Sequence, residues 1–270
     1  MGTGLRTGVP DVSGGHHRRM TTNADLEPGR SGSDSPLPTA GGDARPVAPP
    51  GRDGRRGPRR RGGWRIPAAL IALSLVPSIA GAHRLGELAT NVPVTEENAR
   101  FFDMPVPVVA HIIAAILYCV VGAFQFAPAF RRRRPRWHRV AGRFLVAAGS
   151  TVAVSGMWMA VFYDLPPVDG VLVEIMRLIV GTVMVVSLVL AVVTIRRRDI
   201  ASHRAWMIRA YALAQGAGTQ VFTHLPALLI GGTPSVGARA VMMAAGWIIN
   251  ILVAEWIIRG RPGLRAPRAA

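Results

Sequence analysis

Two pairs of histidines lie in or beside long hydrophobic runs, and their chemistry depends on what surrounds them. His111 and His224 fall about five and six residues inside their runs, roughly 8 to 9 Å below one membrane face at 1.5 Å per residue. His138 and His203 stand at the opposite edge, each followed by arginine as His138-Arg139 and His203-Arg204. An imidazole at such depth can ligate haem iron, exchange a proton near neutral pH, or hydrogen-bond a neighbouring helix. Ionisable groups inside a bilayer are costly, which makes each a functional candidate.

The elements that position them are announced by two arginine clusters. Arg131 to Arg143 reads RRRRPRWHRVAGR, and a similar pattern returns at Arg196 to Arg209 as RRRDIASHRAWMIR. In each, an arginine block leads to a His-Arg step. A further arginine (Arg143, Arg209) and then an aromatic residue (Phe144, Tyr211) follow inside the next apolar run. Clusters of this kind mark the cytoplasmic ends of membrane helices. Half of the 270 residues are hydrophobic although the formal net charge is +17, a combination foreign to a soluble domain. The arginines bracket apolar spans instead of covering an exposed face, so anionic lipid headgroups are the expected partner and nucleic acid is not. Cys119 is the one cysteine, so the chain holds no intrachain disulfide and no CxxC metal site; no metal is expected.

Residues 1–62 are rich in Gly, Pro, Ser, Asp and Arg and are expected to form a disordered cytoplasmic tail, because they cannot bury enough apolar surface to offset ordering. The transmembrane domain is expected over 63–260 and a basic tail over 261–270. Apolar spans are read at Ile66–Ala82, Val106–Ala127, Val140–Phe162, Val171–Ile195, Ala205–Ile230 and Gly237–Ile258. The first is short for crossing about 30 Å of hydrocarbon, and the others reach the roughly 20 residues a helix requires. No alternating pattern of a β-barrel is present. The fold class is therefore all-α: a polytopic transmembrane bundle of about six spans.

Glu87, Glu96, Glu97, Asp103, Asp164 and Asp169 fall in the connections opposite the arginine clusters. Six spans with both termini cytoplasmic put every basic connection on one side. The recurrence suggests a duplicated helix pair, spans two and three followed by four and five, forming a four-helix core with spans one and six outside it. Spans two and five would then be neighbours, bringing His111 and His224 face to face.

The segments Phe124-Gln125-Phe126, His138 to Arg143 and His203 to Leu213 resemble a bacterial membrane family known as domain of unknown function 2306. The resemblance covers about residues 105–230. It implies a multi-pass protein of the bacterial cytoplasmic membrane and brings no activity, fold or ligand with it.

Three functions stay open. In the first, His111 and His224 are axial ligands of one haem b, or belong to a quinone-linked redox protein. A second haem at His138 and His203 is excluded: residues 203 and 224 would lie about 32 Å apart on one helix, whereas same-helix ligands in di-haem b-type cytochromes lie much closer. In the second, His138, Arg139, Arg143, His203, Arg204 and Arg209 converge on an anion or lipid headgroup, or line a path for a small molecule. In the third, these groups are structural, with Arg209 paired to Glu255 and Glu174 paired to Arg177, the latter at i and i+3 on one helix face. Gln125, Gln220 and Asn250 would hydrogen-bond between helices. No nucleophile elbow, P-loop or HExxH motif supports a hydrolase or ATPase, and no catalytic residue is assigned. The haem reading predicts a Soret band in the purified protein that His111→Ala or His224→Ala abolishes; a colourless, haem-free preparation contradicts it.

Overall fold

The computed structural model describes residues 64–260; the tails read at 1–62 and 261–270 lie outside the described residues. Among the described residues the chain is helical throughout: α1 Arg65–Thr90, α2 Ala99–Asp103, α3 Pro105–Gln125, α4 Pro128–Arg133, α5 Pro135–Phe162, α6 Gly170–Arg196, α7 Ile200–Ala214, α8 Gly216–Ile230 and α9 Val236–Arg259. Prolines open α3, α4 and α5, where a missing N–H costs nothing. Asp199 accepts from the Ser202 amide (2.9 Å) to cap α7, and Ser235 accepts from the Ala238 amide (3.2 Å) to cap α9.

Five of these helices, α1, α3, α5, α6 and α9, are long and apolar enough to cross a membrane. Their large apolar side chains face outward; Val106, Val186 and Trp256 are examples. That inside-out distribution suits hydrocarbon solvent. The first span is longer than its apolar run indicates. Its helix holds 26 residues, about 39 Å, because it continues through His83, Arg84 and Glu87, where Arg84 pairs with Glu87 at 2.5 Å.

The four-helix core is present. Tyr118 of α3, Leu145 of α5, Leu188 of α6 and Tyr211 of α7 meet in one cluster. The fifth span departs from expectation: it is broken at Gln215 into α7 and α8, of 15 residues each. The first half packs into the core, while the second half swings onto α9 and α1. In turn, α1 packs against both α3 and α8, so the second half of span five meets α1, while its first half, α7, keeps its contact with α3.

A close backbone approach fixes that arrangement. Pro77 lies inside α1 and withholds the N–H that the Leu73 carbonyl would otherwise receive. Gly218 of α8 comes directly onto that carbonyl, and a Cβ there would collide with it. Only glycine permits the contact.

Charges bolt α9 to the core at both ends. At one end Asp169, 1% exposed, accepts from Arg177 Nη2 (2.7 Å) and from Arg239 Nε, tying the start of α6 to the start of α9. Burial alone would raise the Asp169 pKa, but the hydrogen bonds and charges of Arg239 and Arg177 outweigh it and hold the carboxyl below its ordinary value. At the other end Arg209 donates from Nε to Glu255 Oε1 (2.6 Å) and from Nη2 to Oε2 (3.2 Å), while stacking on Trp206. The expected Glu174–Arg177 pair is not formed. Arg177 turns to Asp169 because a buried carboxylate needs its charge matched more than a half-exposed one does.

Gly218→Ala is expected to lower stability in detergent by about 1–3 kcal/mol through overpacking against fixed backbone. Gly142→Ala, which meets open space, should be neutral or stabilising by up to about 1 kcal/mol. Thermal unfolding of the two variants, compared with the parent, checks the contact; equal effects would contradict it.

Candidate functional site

Where α1, α3 and the α7/α8 break come together they form a half-open cavity of 120 Å³. Its wall includes Ser74, Pro77 and Ser78 from α1, His111 and Cys119 from α3, and Gln215 from the break. The polar groups here sit within the apolar length of three helices, and their hydrogen-bond directions can be worked out in turn.

The sequence of bonds starts at Cys119, whose backbone carbonyl can only accept. Tyr211 must therefore donate its hydroxyl proton to that oxygen, at 2.7 Å. The Tyr211 oxygen in turn accepts from Gln215 Nε2, at 2.8 Å. The same Nε2 reaches the Leu70 carbonyl of α1 at 3.3 Å. Both partners demand a donor, so the amide orientation of Gln215 is determined. Its Oε1 is left as a buried acceptor with no partner among the described residues. Gln215 as a whole is 3% exposed. Tyr211 is held for this role by Phe126, with ring centroids 4.9 Å apart, and by Gly122, whose missing side chain makes room for the ring.

The same logic applies to His111. Ser155 of α5 has one hydroxyl proton, and the Thr151 carbonyl lies 2.5 Å from its Oγ. With that proton given to Thr151, the 3.0 Å contact between His111 Nδ1 and Ser155 Oγ requires Nδ1–H to donate. In the neutral ring the remaining nitrogen, Nε2, carries a lone pair. His111 thus brings a second acceptor to the wall of the cavity that Gln215 lines. The cavity wall thus carries the His111 ring and Gln215, whose Oε1 is an unpaired acceptor, together with the Ser78 hydroxyl, which can donate or accept.

The other histidines are placed differently. His224 donates from Nδ1 to the Gln220 carbonyl of its own helix (2.8 Å), and its Nε2 is enclosed without a partner among the described residues. It lies on α8, whose principal neighbours are α9 and α1, so it does not confront His111 across a shared interface. The physical reason is the break at Gln215 together with the insertion of α1. His203 donates from Nδ1 to the Ala191 carbonyl of α6 (2.8 Å). His138 stands in the first turn of α5, and its Nδ1 is enclosed without a partner among the described residues.

The arginines around them differ in setting. Arg139 and Arg143 are exposed on α5, Arg204 is half-buried on α7, and Arg209 is committed to Glu255. Of the expected interhelical amides, Gln220 donates to the Met243 carbonyl (3.0 Å) and Asn250 accepts from Thr219 (2.8 Å), both joining α8 to α9. Gln125 has no hydrogen-bond partner among the described residues.

Sequence reasoning did not single out Gln215 or Ser155. The signal for Gln215 was a polar residue followed by Gly216 and Gly218 in the middle of an apolar run. The signal for Ser155 was its place on the third span, where a hydroxyl could meet a histidine at similar depth. Nitrogen NMR of ring-labelled protein should find Nδ1 as the protonated nitrogen of His111. Ser155→Ala should move population to the Nε2–H form; an unchanged spectrum would contradict the bond.

No curated protein and no solved structure gives a match to this chain. Residues 108–258, which run from the first turn of α3 to the end of α9 and contain His111, Ser155, Tyr211 and Gln215, match the family described as "Predicted membrane protein (DUF2306)". The match takes in more than half of the chain, and the protein belongs to that membrane protein family.

Proposed function

We propose that this protein binds a small lipophilic molecule carrying a hydroxyl group, with the hydroxyl seated between His111 and Gln215. One observation supports the reading above the others: His111 and Gln215 line a single cavity at membrane depth, and Gln215 Oε1 is a buried acceptor with no partner among the described residues. A buried acceptor left unpaired costs about 1–3 kcal/mol, and hydrocarbon offers no water to relieve it. Water itself could fill part of the space, at about 30 Å³ per molecule. A ligand hydroxyl would replace that water while its ring or chain met the apolar wall of Ile112, Ala115 and Ile116.

This narrows the redox alternative. A quinol-type head, which donates a hydroxyl, suits the two acceptors. A haem held between His111 and His224 suits the geometry less, since α1 lies between the helices that carry them. The 120 Å³ cavity is also well below the roughly 300–1,000 Å³ of ordinary ligand pockets. Exposed Arg139 and Arg143 favour contact with anionic headgroups at the bilayer surface over an enclosed anion site. With the arginine-rich ends taken as cytoplasmic, both termini lie on that side of the cytoplasmic membrane.

Calorimetry in lipid nanodiscs with 4-propylphenol and its methyl ether separates binding from simple partitioning. The phenol is expected to bind saturably and about tenfold more tightly, the value of one good hydrogen bond, and His111→Ala should erase the difference. Equal, non-saturable uptake of both compounds would contradict the reading.

A further inference from the structure

Beside that cavity runs a second, larger depression. It is a groove of 410 Å³ on the outer face of α3 and α5, lined by Pro107, Ser150, Thr151, Val154, Ser155 and Trp158. The groove and the cavity share a wall. Ser155 lines the groove, His111 lines the cavity, and the 3.0 Å hydrogen bond between them is the partition.

The groove is mostly apolar to an occupant: two of its three hydroxyl residues turn their protons to their own helix, and Ser150 keeps a hydroxyl that can bond an occupant. Thr151 Oγ1 donates to the Ala147 carbonyl (3.1 Å) and Ser155 Oγ to the Thr151 carbonyl, so both hydroxyls are spent on their own helix. Val154 and Trp158 are half exposed at its rim, facing where lipid would be.

We infer that the groove seats the aliphatic tail of the same molecule whose hydroxyl enters the cavity, so that the ligand is a long-tailed alcohol or phenol straddling the His111–Ser155 partition. This rests on the binding reading given above. The head reaches the cavity sideways from the bilayer, between α3 and α5, when His111 turns away from Ser155. Gly156 favours that passage, since it leaves open space against His111 Cε1 where a side chain would press on the ring at 3.3 Å. Because lipid tails are as apolar as any protein groove, the tail gains little affinity from its seat. What the groove supplies is placement, and the test must read placement.

Trp158 provides the probe. A phenol with a bromine at the end of its alkyl tail, and the methyl ether of that compound, are titrated into nanodiscs. The fluorescence assigned to Trp158 is taken as the difference between the parent and Trp158→Phe. The phenol is expected to quench Trp158 saturably over the concentrations at which it binds, at least about threefold more than the ether, which corresponds to about 0.65 kcal/mol at 1.4 kcal/mol per decade. His111→Ala should reduce the phenol to the behaviour of the ether. A phenol that binds in a His111-dependent way yet quenches no more than the ether would overturn the tail assignment and leave the head site standing. If neither compound binds, the head site fails and the tail assignment with it. Ser155→Ala, which keeps the groove but opens the partition, should accelerate the onset of quenching; a slower onset would count against sideways passage.

Discussion

Inside hydrocarbon a peptide carbonyl or amide that lacks a partner has no water to turn to, and this structure is organised around a place where that rule is strained. Pro77 interrupts the hydrogen-bond ladder of α1 at Leu73, and the fifth span is interrupted at Gln215 at the same level. The two defects are set against one another. Gly218 closes on the Leu73 carbonyl, and Gln215 reaches across to the Leu70 carbonyl and to Tyr211. Gly218 brings no donor to Leu73, since its own N–H is given to the Gln215 carbonyl, so the link between the two helices is the bond from Gln215 to Leu70. The remainder is a cavity with two acceptors, and that remainder is where a function can reside.

The rest of the bundle keeps this meeting point in register. Tyr118 and Tyr211, with ring centroids 5.7 Å apart, fill the centre of the four-helix core. They hold α3 and α7 together just beside the cavity. The ion pairs Asp169–Arg239 and Arg209–Glu255 fasten α9 near its two ends, and α9 in turn carries α8 through Thr219–Asn250 and Gln220–Met243. A helix fastened so leaves α8 little freedom to rejoin the core, so α1 keeps its place between α8 and α3. At the opposite edge of the bundle, Asp199 caps α7 through Ser202, and these bonds hold its carboxyl below the ordinary value. That cap sets the start of the helix whose other end supplies Gln215.

Much of this was legible in the residues, for reasons that differ by level. Spans declare themselves because about 20 consecutive apolar residues have few other uses. Arg209 and Glu255 could be matched because each is a lone charge at the same end of adjacent spans. The Arg177 partner was not legible: Glu174 sits at the favoured helical spacing, but Asp169 lies deeper and is shared with Arg239, 70 residues away. Arg239 itself was a clue, a charge inside an apolar run that had to be met by something. The break at Gln215 stayed hidden because glycines are tolerated in membrane helices and hydropathy is blind to them. The position of α1 stayed hidden for a related reason. A helix that is apolar on every face gives no sign of which neighbour it prefers. The histidine pair was thus correctly flagged as chemistry-bearing, yet its partners are Ser155 and Gln220, not each other.

His111 and Gln215 line one half-open cavity, and Gln215 Oε1 is buried there without a partner among the described residues. An experimental density map of the full chain in nanodiscs, at a resolution that reveals ordered solvent, reads this most directly. The account predicts density within hydrogen-bonding distance of both His111 Nε2 and Gln215 Oε1, from a water or from a hydroxyl carried through purification. A collapsed cavity, with α8 packed on α3 and the Gln215 side chain turned to another partner, would contradict it.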